Sequence, residues 1–107
     1  MEIWKQHPSF DCMVSFNGEI RATDKRTNKS YLKKQYTTND GYKRVSFWKD
    51  GKAIKVLVHR LVCETFKGIC PKGKEFVDHI DRNRSNNKAD NLRWVTKKEN
   101  SDNSIRV

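Results

Sequence analysis

A chain of 107 residues has room for one domain, or for two small units sharing one core. With 35% hydrophobic and 34% charged residues that core is thin, yet three Trp, three Tyr and five Phe exclude a disordered chain. The formal net charge of +10 comes from 23 Lys and Arg against 13 Asp and Glu spread along the whole sequence, so the folded body itself faces a polyanion.

The first half is cut by three two-residue turn signals, Asn17-Gly18, Asp40-Gly41 and Asp50-Gly51. Strands are expected over 12–16, 19–23, 31–36, 42–49 and 52–58, forming one antiparallel meander. Alternation assigns their faces. Val45 and Phe47 oppose Arg44, Ser46 and Trp48; Ile54, Val56 and Val58 oppose Lys55; Leu32 and Tyr36 oppose Lys33 and Gln35. The polar face then carries Lys33, Gln35, Arg44, Ser46 and Lys55, a set suited to the phosphates and base edges of a DNA groove. An ordinary half-exposed antiparallel sheet alternates in the same way, and only the excess of Lys and Arg favours a DNA contact.

A helix follows over 58–66, where Val58, Leu61, Val62 and Phe66 recur at helical spacing and Cys63 fits as a small core residue. Gly68 is its stop signal, with Pro71 just beyond. After a loop over 68–74, a strand is expected at 76–80, an Asn-rich polar loop at 81–90 and a second strand at 91–95. Thr96 and Glu99 form a capping box that opens a last helix reaching about residue 103. This terminal strand–loop–strand–helix unit is too small for a core of its own and must lean on the sheet. The fold class is α+β: an N-terminal antiparallel sheet over 1–57, then a packed helix and a C-terminal ββα unit over 58–107.

No apolar run is long enough to span a bilayer, and no basic amphipathic helix stands out, so no membrane partner is expected. The opening MEIWKQHPSF lacks an apolar signal core, so a cytoplasmic location is expected. Cys12, Cys63 and Cys70 are odd in number and form no C-x-x-C pair, which argues against a disulfide framework and a structural zinc site.

The chemistry concentrates in the terminal unit. Asp78 directly precedes His79, Asn91 stands twelve residues after His79, and Asn100 nine residues after that. Hydrolysing a phosphodiester needs a base for water, a cation for the phosphate and leaving oxygen, and a frame that aligns them. His79 is the suitable base near pH 7. Asp78 alternates with it on the strand and so points to the opposite face. The two serve one site if the closing helix passes over one face and brings Asn100 to Asp78 around a metal, with His79 across the phosphate. One carboxylate and one carboxamide make a hard, sparse site that suits Mg²⁺ or Mn²⁺ and not zinc. The Asn91 amide can bridge backbone groups across the long loop, Trp94 packs the unit onto the helix, and Arg93 can reach a phosphate. Singly, each of these residues reads as ordinary surface or turn; together, in a basic chain, they point to a site.

The segment VDHIDRNRSNNKADNLRWVTKKEN resembles the HNH endonucleases with a ββα-metal site, and is most similar to the free-standing and intron-homing enzymes of bacteriophages. VHRLVCETF, DGYKRVSF and EIWKQHPSF…VSFNGEIRA resemble the same family more weakly, so the likeness covers nearly the whole chain. It implies His79 as general base, Asp78 and Asn100 as ligands of one divalent cation, Asn91 as the structural middle residue, and ends bearing 5′-phosphate and 3′-hydroxyl. It also implies that the N-terminal sheet contacts double-stranded DNA, often in the major groove; Arg82, Arg84 and Arg93 of this chain are expected to join the contacting set. The family often has Gly after the second Asp of the loop, where this chain has Arg82. Longer phage relatives carry a further C-terminal helical segment; ending at Val107, this chain is expected to show looser specificity or to rely on the sheet. His59 is expected to pack on the hairpin or touch phosphate without being catalytic. The function these features imply is a metal-dependent DNA endonuclease, nicking as a monomer or weak dimer, with no small-molecule substrate. The alternative is a DNA-binding protein that does not cut, which has little need of all four residues. RNA binding through Tyr31 and Trp48 lacks a supporting signature.

Overall fold

Three small antiparallel sheets surround one central helix. The computed structural model describes the backbone of residues 3–105 and the side chains of residues 3–101; residues 1–2 and 106–107, the outer ends of the two expected halves, lie outside the described residues. Strands β1 (Trp4–Gln6), β2 (Met13–Ser15), β3 (Ile20–Asp24) and β4 (Lys29–Leu32) form the first sheet in that order. Strands β5 (Tyr36–Thr37), β6 (Lys43–Lys49) and β7 (Lys52–Leu57) form the second. Strands β8 (Phe76–His79) and β9 (Leu92–Val95) form the third.

The expected single meander is therefore two sheets, and the expected strand 31–36 is broken. Lys33 still donates its backbone N–H to Ile20 at 2.7 Å; the chain then leaves the first sheet, and Tyr36 pairs with Arg44 in the second. Leu32 and Tyr36 do not share a face, because they belong to different sheets. The physical reason is that alternation reports a period but not a partner. Leu32 is 55% exposed, so no buried face carries the strand onward. The extra strand β1 pairs with β2, Lys5 opposite Val14; three residues ahead of His7-Pro8 are too few to show a period.

Helix α1 (Val58–Phe66) buries Val58, Leu61, Val62 and Cys63 completely and packs on strands of all three sheets. Around it lie Cys12, Val14 and Ile20 from the first sheet and its approach, Val45 from the second, and Val77 and Leu92 from the third. Burial pushes the Cys63 thiol up to about 12 and the Cys12 thiol up to about 11; both are free, and neither forms a thiolate near neutral pH. His7 pins the loop after β1 to the helix. Its Nδ1 accepts from the N–H groups of Ser9 and Phe10 at 3.0 and 2.9 Å, and its Nε2 donates to Glu64 Oε1 at 2.8 Å. Gly68 takes a φ of +80° beyond α1, as a helix stop requires.

Helix α2 (Lys97–Ile105) packs on β8 and β9 and opens with the expected capping box. Glu99 N–H donates to Thr96 Oγ1 at 3.1 Å, and Thr96 N–H donates to Glu99 Oε1 at 2.9 Å. Among the described residues no helix is long and apolar enough to cross a membrane.

Candidate active site

The β8–β9 ladder pairs Asp78 with Arg93 and His79 with Leu92. Asp78 is 2% exposed and His79 5% exposed. Arg93 Nε donates to Asp78 Oδ2 at 2.9 Å, so the buried carboxylate carries a cationic neighbour across the strand. Within residues 97–101 Asn100 alone is half-buried, while Lys97, Lys98, Glu99 and Ser101 are exposed. With α2 lying on β8 and β9, that burial turns Asn100 toward the hairpin that carries Asp78. Asp78 and Asn100 would offer one carboxylate and one carboxamide oxygen, hard donors of the kind a divalent cation such as Mg²⁺ takes.

The loop from 80 to 91 is closed by Asn91. Its Oδ1 accepts from Asp81 N–H at 3.0 Å, and its Nδ2 donates to Asp81 Oδ1 and to the Asn86 carbonyl, both at 2.9 Å. Asp81 also accepts from Asn86 Nδ2 at 2.8 Å and Asn83 N–H at 2.8 Å; these bonds, the Asn86 amide first, hold its carboxyl below the usual carboxylate range. Ile80 N–H donates to the Asn91 carbonyl and Arg82 N–H to the His79 carbonyl, at 2.9 and 2.8 Å. Arg82 takes a left-handed φ of +66°, which explains why glycine suits this position.

His79 is held from three sides. Asn87 Oδ1 lies 2.8 Å from its Nε2, the His59 ring meets it nearly edge-on at 5.1 Å, and the Tyr42 ring lies 5.9 Å away. Burial lowers its pKa, against opposing contributions from the Asn87 hydrogen bond and the charges of Asp81 and Asp78, so it is neutral at pH 7. Of these neighbours only His59 carried a signal in the sequence. Asn87 reads there as one more turn residue in an Asn-rich loop, and Tyr42 as a strand residue.

His59 is buried, and burial first, then His79 and Arg60, push its pKa down to about 3. The folded value lies below the ordinary 6.5, so the unfolded chain binds the proton first as pH falls. The resulting stability is complete above about pH 6.5 and is lost as pH drops toward 3. Between pH 7.5 and 5.0 the wild type should lose about 2 kcal/mol more than His59→Leu. Urea melts of both proteins at the two pH values check this; equal losses would remove His59 as the cause.

The proposed DNA contacts do not form one face. Ser46 pairs with Lys55 across β6–β7, and Arg44 lies two residues along on the same side, with the 77%-exposed Trp48 beyond. Arg44 is committed to Asp40, with guanidinium–carboxylate distances of 2.9 and 3.1 Å, and to Thr38; this holds the Asp40 carboxyl well below the usual range. The Ser46 hydroxyl is 3.4 Å from that of Tyr36. Lys33 and Gln35 lie in the connector between the sheets: Lys33 Nζ sits 4.6 Å from the Phe47 ring centre, and Gln35 Nε2 donates to the Gly18 carbonyl at 2.8 Å. Arg84 donates to the Asp40 carbonyl and covers the Tyr42 ring, Arg82 is exposed on the loop, and Arg93 stands beside Asp78.

Residues 56–102 match the family model described as HNH endonuclease, and residues 2–48 match the NUMOD4 motif. DNA endonuclease I-HmuI of Bacillus phage SP01 is 37% identical over 106 residues, covering 95% of this chain and 57% of that protein. H-N-H endonuclease F-TflII of Escherichia phage T5 is 34% identical over 101 residues, covering 92% of this chain and 50% of that protein. The solved structure described as "DNA binding and cleavage by the HNH homing endonuclease I-HmuI" is 35% identical and superposes with a TM-score of 0.75, covering 98% of this chain and 62% of that one. The chain thus spans between 50% and 62% of the length of these relatives. Matched in sequence along nearly all of its length and in fold across all three sheets, the chain belongs to the HNH endonuclease family.

Proposed function

We propose that the protein is a metal-dependent DNA endonuclease of the homing type that nicks one strand of double-stranded DNA. The observation that carries this reading is the buried Asp78–His79 pair on β8, with Asn100 turned toward the same hairpin from α2. His79, neutral at pH 7, takes a proton from water as the water oxygen bonds to phosphorus. The bond from phosphorus to the 3′ oxygen breaks, and that oxygen takes a proton from solvent, leaving 3′-hydroxyl and 5′-phosphate ends. Asp78 and Asn100 would hold one Mg²⁺ or Mn²⁺, which when bound neutralises charge on the phosphate and the leaving oxygen. Asn91 keeps the loop closed, and Arg93 keeps positive charge at Asp78. Ser46 and Lys55 on the sheet, Lys33 and Gln35 in the connector, and Arg82 and Arg84 on the loop grip the DNA backbone, and Arg44 joins them where phosphate displaces Asp40 from its guanidinium. A monomer with one such site cuts one strand per encounter.

Supercoiled plasmid and phage genomic DNA, incubated with the protein and Mg²⁺ or Mn²⁺, should yield nicked circles or nicked genome, and EDTA should prevent both. Intact DNA on every substrate with either metal would leave the protein a non-cutting DNA-binding protein. Affinity for duplex DNA should fall by about 10³-fold or more between about 50 and 200 mM salt, as expected for six or more phosphate contacts. Fluorescence-anisotropy titrations across that range measure the slope, and salt-insensitive binding would remove the phosphate grip.

A further inference from the structure

One tie between His79 and the N-terminal half of the chain runs through Asn87. Asn87 is 4% exposed, and its Oδ1 sits 2.8 Å from His79 Nε2. A carboxamide oxygen only accepts, so Nε2 carries the ring proton and Nδ1 carries the lone pair. The same amide leaves its Nδ2 buried with no acceptor among the described residues, a costly arrangement for a side chain kept only for packing.

The position of Asn87 is set from the turn between β2 and β3. Gly18 has a φ of +93°, and a Cβ there would stand 2.8 Å from the Asn87 carbonyl oxygen and 3.1 Å from its Cβ. Gln35 Nε2 holds the Gly18 carbonyl, and the Phe16 carbonyl accepts from Ala89 N–H at 2.8 Å. The backbone of 16–18 is thus the bed on which 87–89 lies. Gly51 has a similar φ of +75°, yet a Cβ there would meet nothing within 4 Å.

We propose that Asn87 is the positioning residue that fixes His79 as its Nε2–H tautomer, and that the Gly18 turn belongs to the same device because it seats Asn87. The N-terminal half then sets the catalytic geometry as well as gripping DNA. The proposal rests on reading His79 as the base, and its first test needs no DNA.

Imidazole ¹⁵N NMR of the full chain at pH 8 should show His79 as the Nε2–H tautomer in the wild type, in Asn87→Asp and in Gly51→Ala. It should show a tautomer mixture in Asn87→Ala and Gly18→Ala. Single-turnover cleavage should drop at least about tenfold in Asn87→Ala and Gly18→Ala, recover in part in Asn87→Asp, and stay near wild type in Gly51→Ala. DNA affinity should hold in Asn87→Ala. If Gly18→Ala does not fold, Gln35→Ala, which releases the Gly18 carbonyl without a clash, is read by the same tautomer signal. A wild-type His79 protonated on Nδ1, or a Gly18→Ala protein indistinguishable from Gly51→Ala, overturns the proposal. Intact DNA with an Nε2–H His79 counts against the nuclease reading instead, so the two failures are distinguishable.

Discussion

His79→Ala is expected to lower single-turnover cleavage by about 10²- to 10⁴-fold, the usual contribution of a positioned general base, while leaving DNA affinity unchanged. The imidazole is 5% exposed and lies between Asn87, His59 and Tyr42, with Arg84 over the Tyr42 ring. On the proposed reading its removal takes away the proton acceptor and leaves the Lys and Arg side chains that would grip the phosphates in place. Burial holds its pKa below the ordinary 6.5, so the acid limb of the wild-type rate profile should lie below pH 6.5 and vanish in the variant. Nicked-circle formation, quenched with EDTA and followed from pH 5 to 8 for both proteins, measures the effect. Equal rates, with both proteins folded, would remove His79 as the base even if the DNA is cut.

Leu61→Ala should destabilise the protein by about 2–5 kcal/mol, the cost of a large-to-small change in a core that only partly collapses. Leu61 is fully buried on α1, the helix that touches strands of all three sheets. The cavity therefore opens where the sheets meet, and no single sheet can relax to fill it. For a domain of this size that corresponds to a fall in Tm of roughly 10 °C or more. Calorimetry should show one transition moving as a unit, because the core cluster runs from Cys12 in the first half to Leu92 in the last hairpin. A shift of under about 2 °C would mean that α1 is not the keystone, and a split transition would mean that the halves fold separately.

The readable part of this protein was its local chemistry. Thr96 and Glu99 are three residues apart, and the bonds they make are made within one helical turn. The apolar face of 58–66, the stop at Gly68 and the turns at Asn17-Gly18 and Asp50-Gly51 depend on neighbours along the chain in the same way. So does the alternation that puts Ser46 and Lys55 on one side of β6–β7. The Asn91 bridge was also within reach, because its partners Asp81 and Asn86 lie in the same loop. The division into two N-terminal sheets was not, since 31–36 reads as one strand, whereas its backbone partner changes from Ile20 at Lys33 to Arg44 at Tyr36.

The sequence by itself determined both helices and most of the strands, the basic character of the body, and the spacing of Asp78, His79, Asn91 and Asn100. Only the tertiary structure decided what surrounds His79: Tyr42 from just before β6, His59 from α1, and Asn87 from a loop seated on the Gly18 turn. It also decided that Arg44 is occupied by Asp40. Periodicity and capping are short-range rules, fixed by backbone geometry within a few residues. Which distant side chains meet is fixed instead by how the buried faces of separate elements pack together, and no local pattern carries that information.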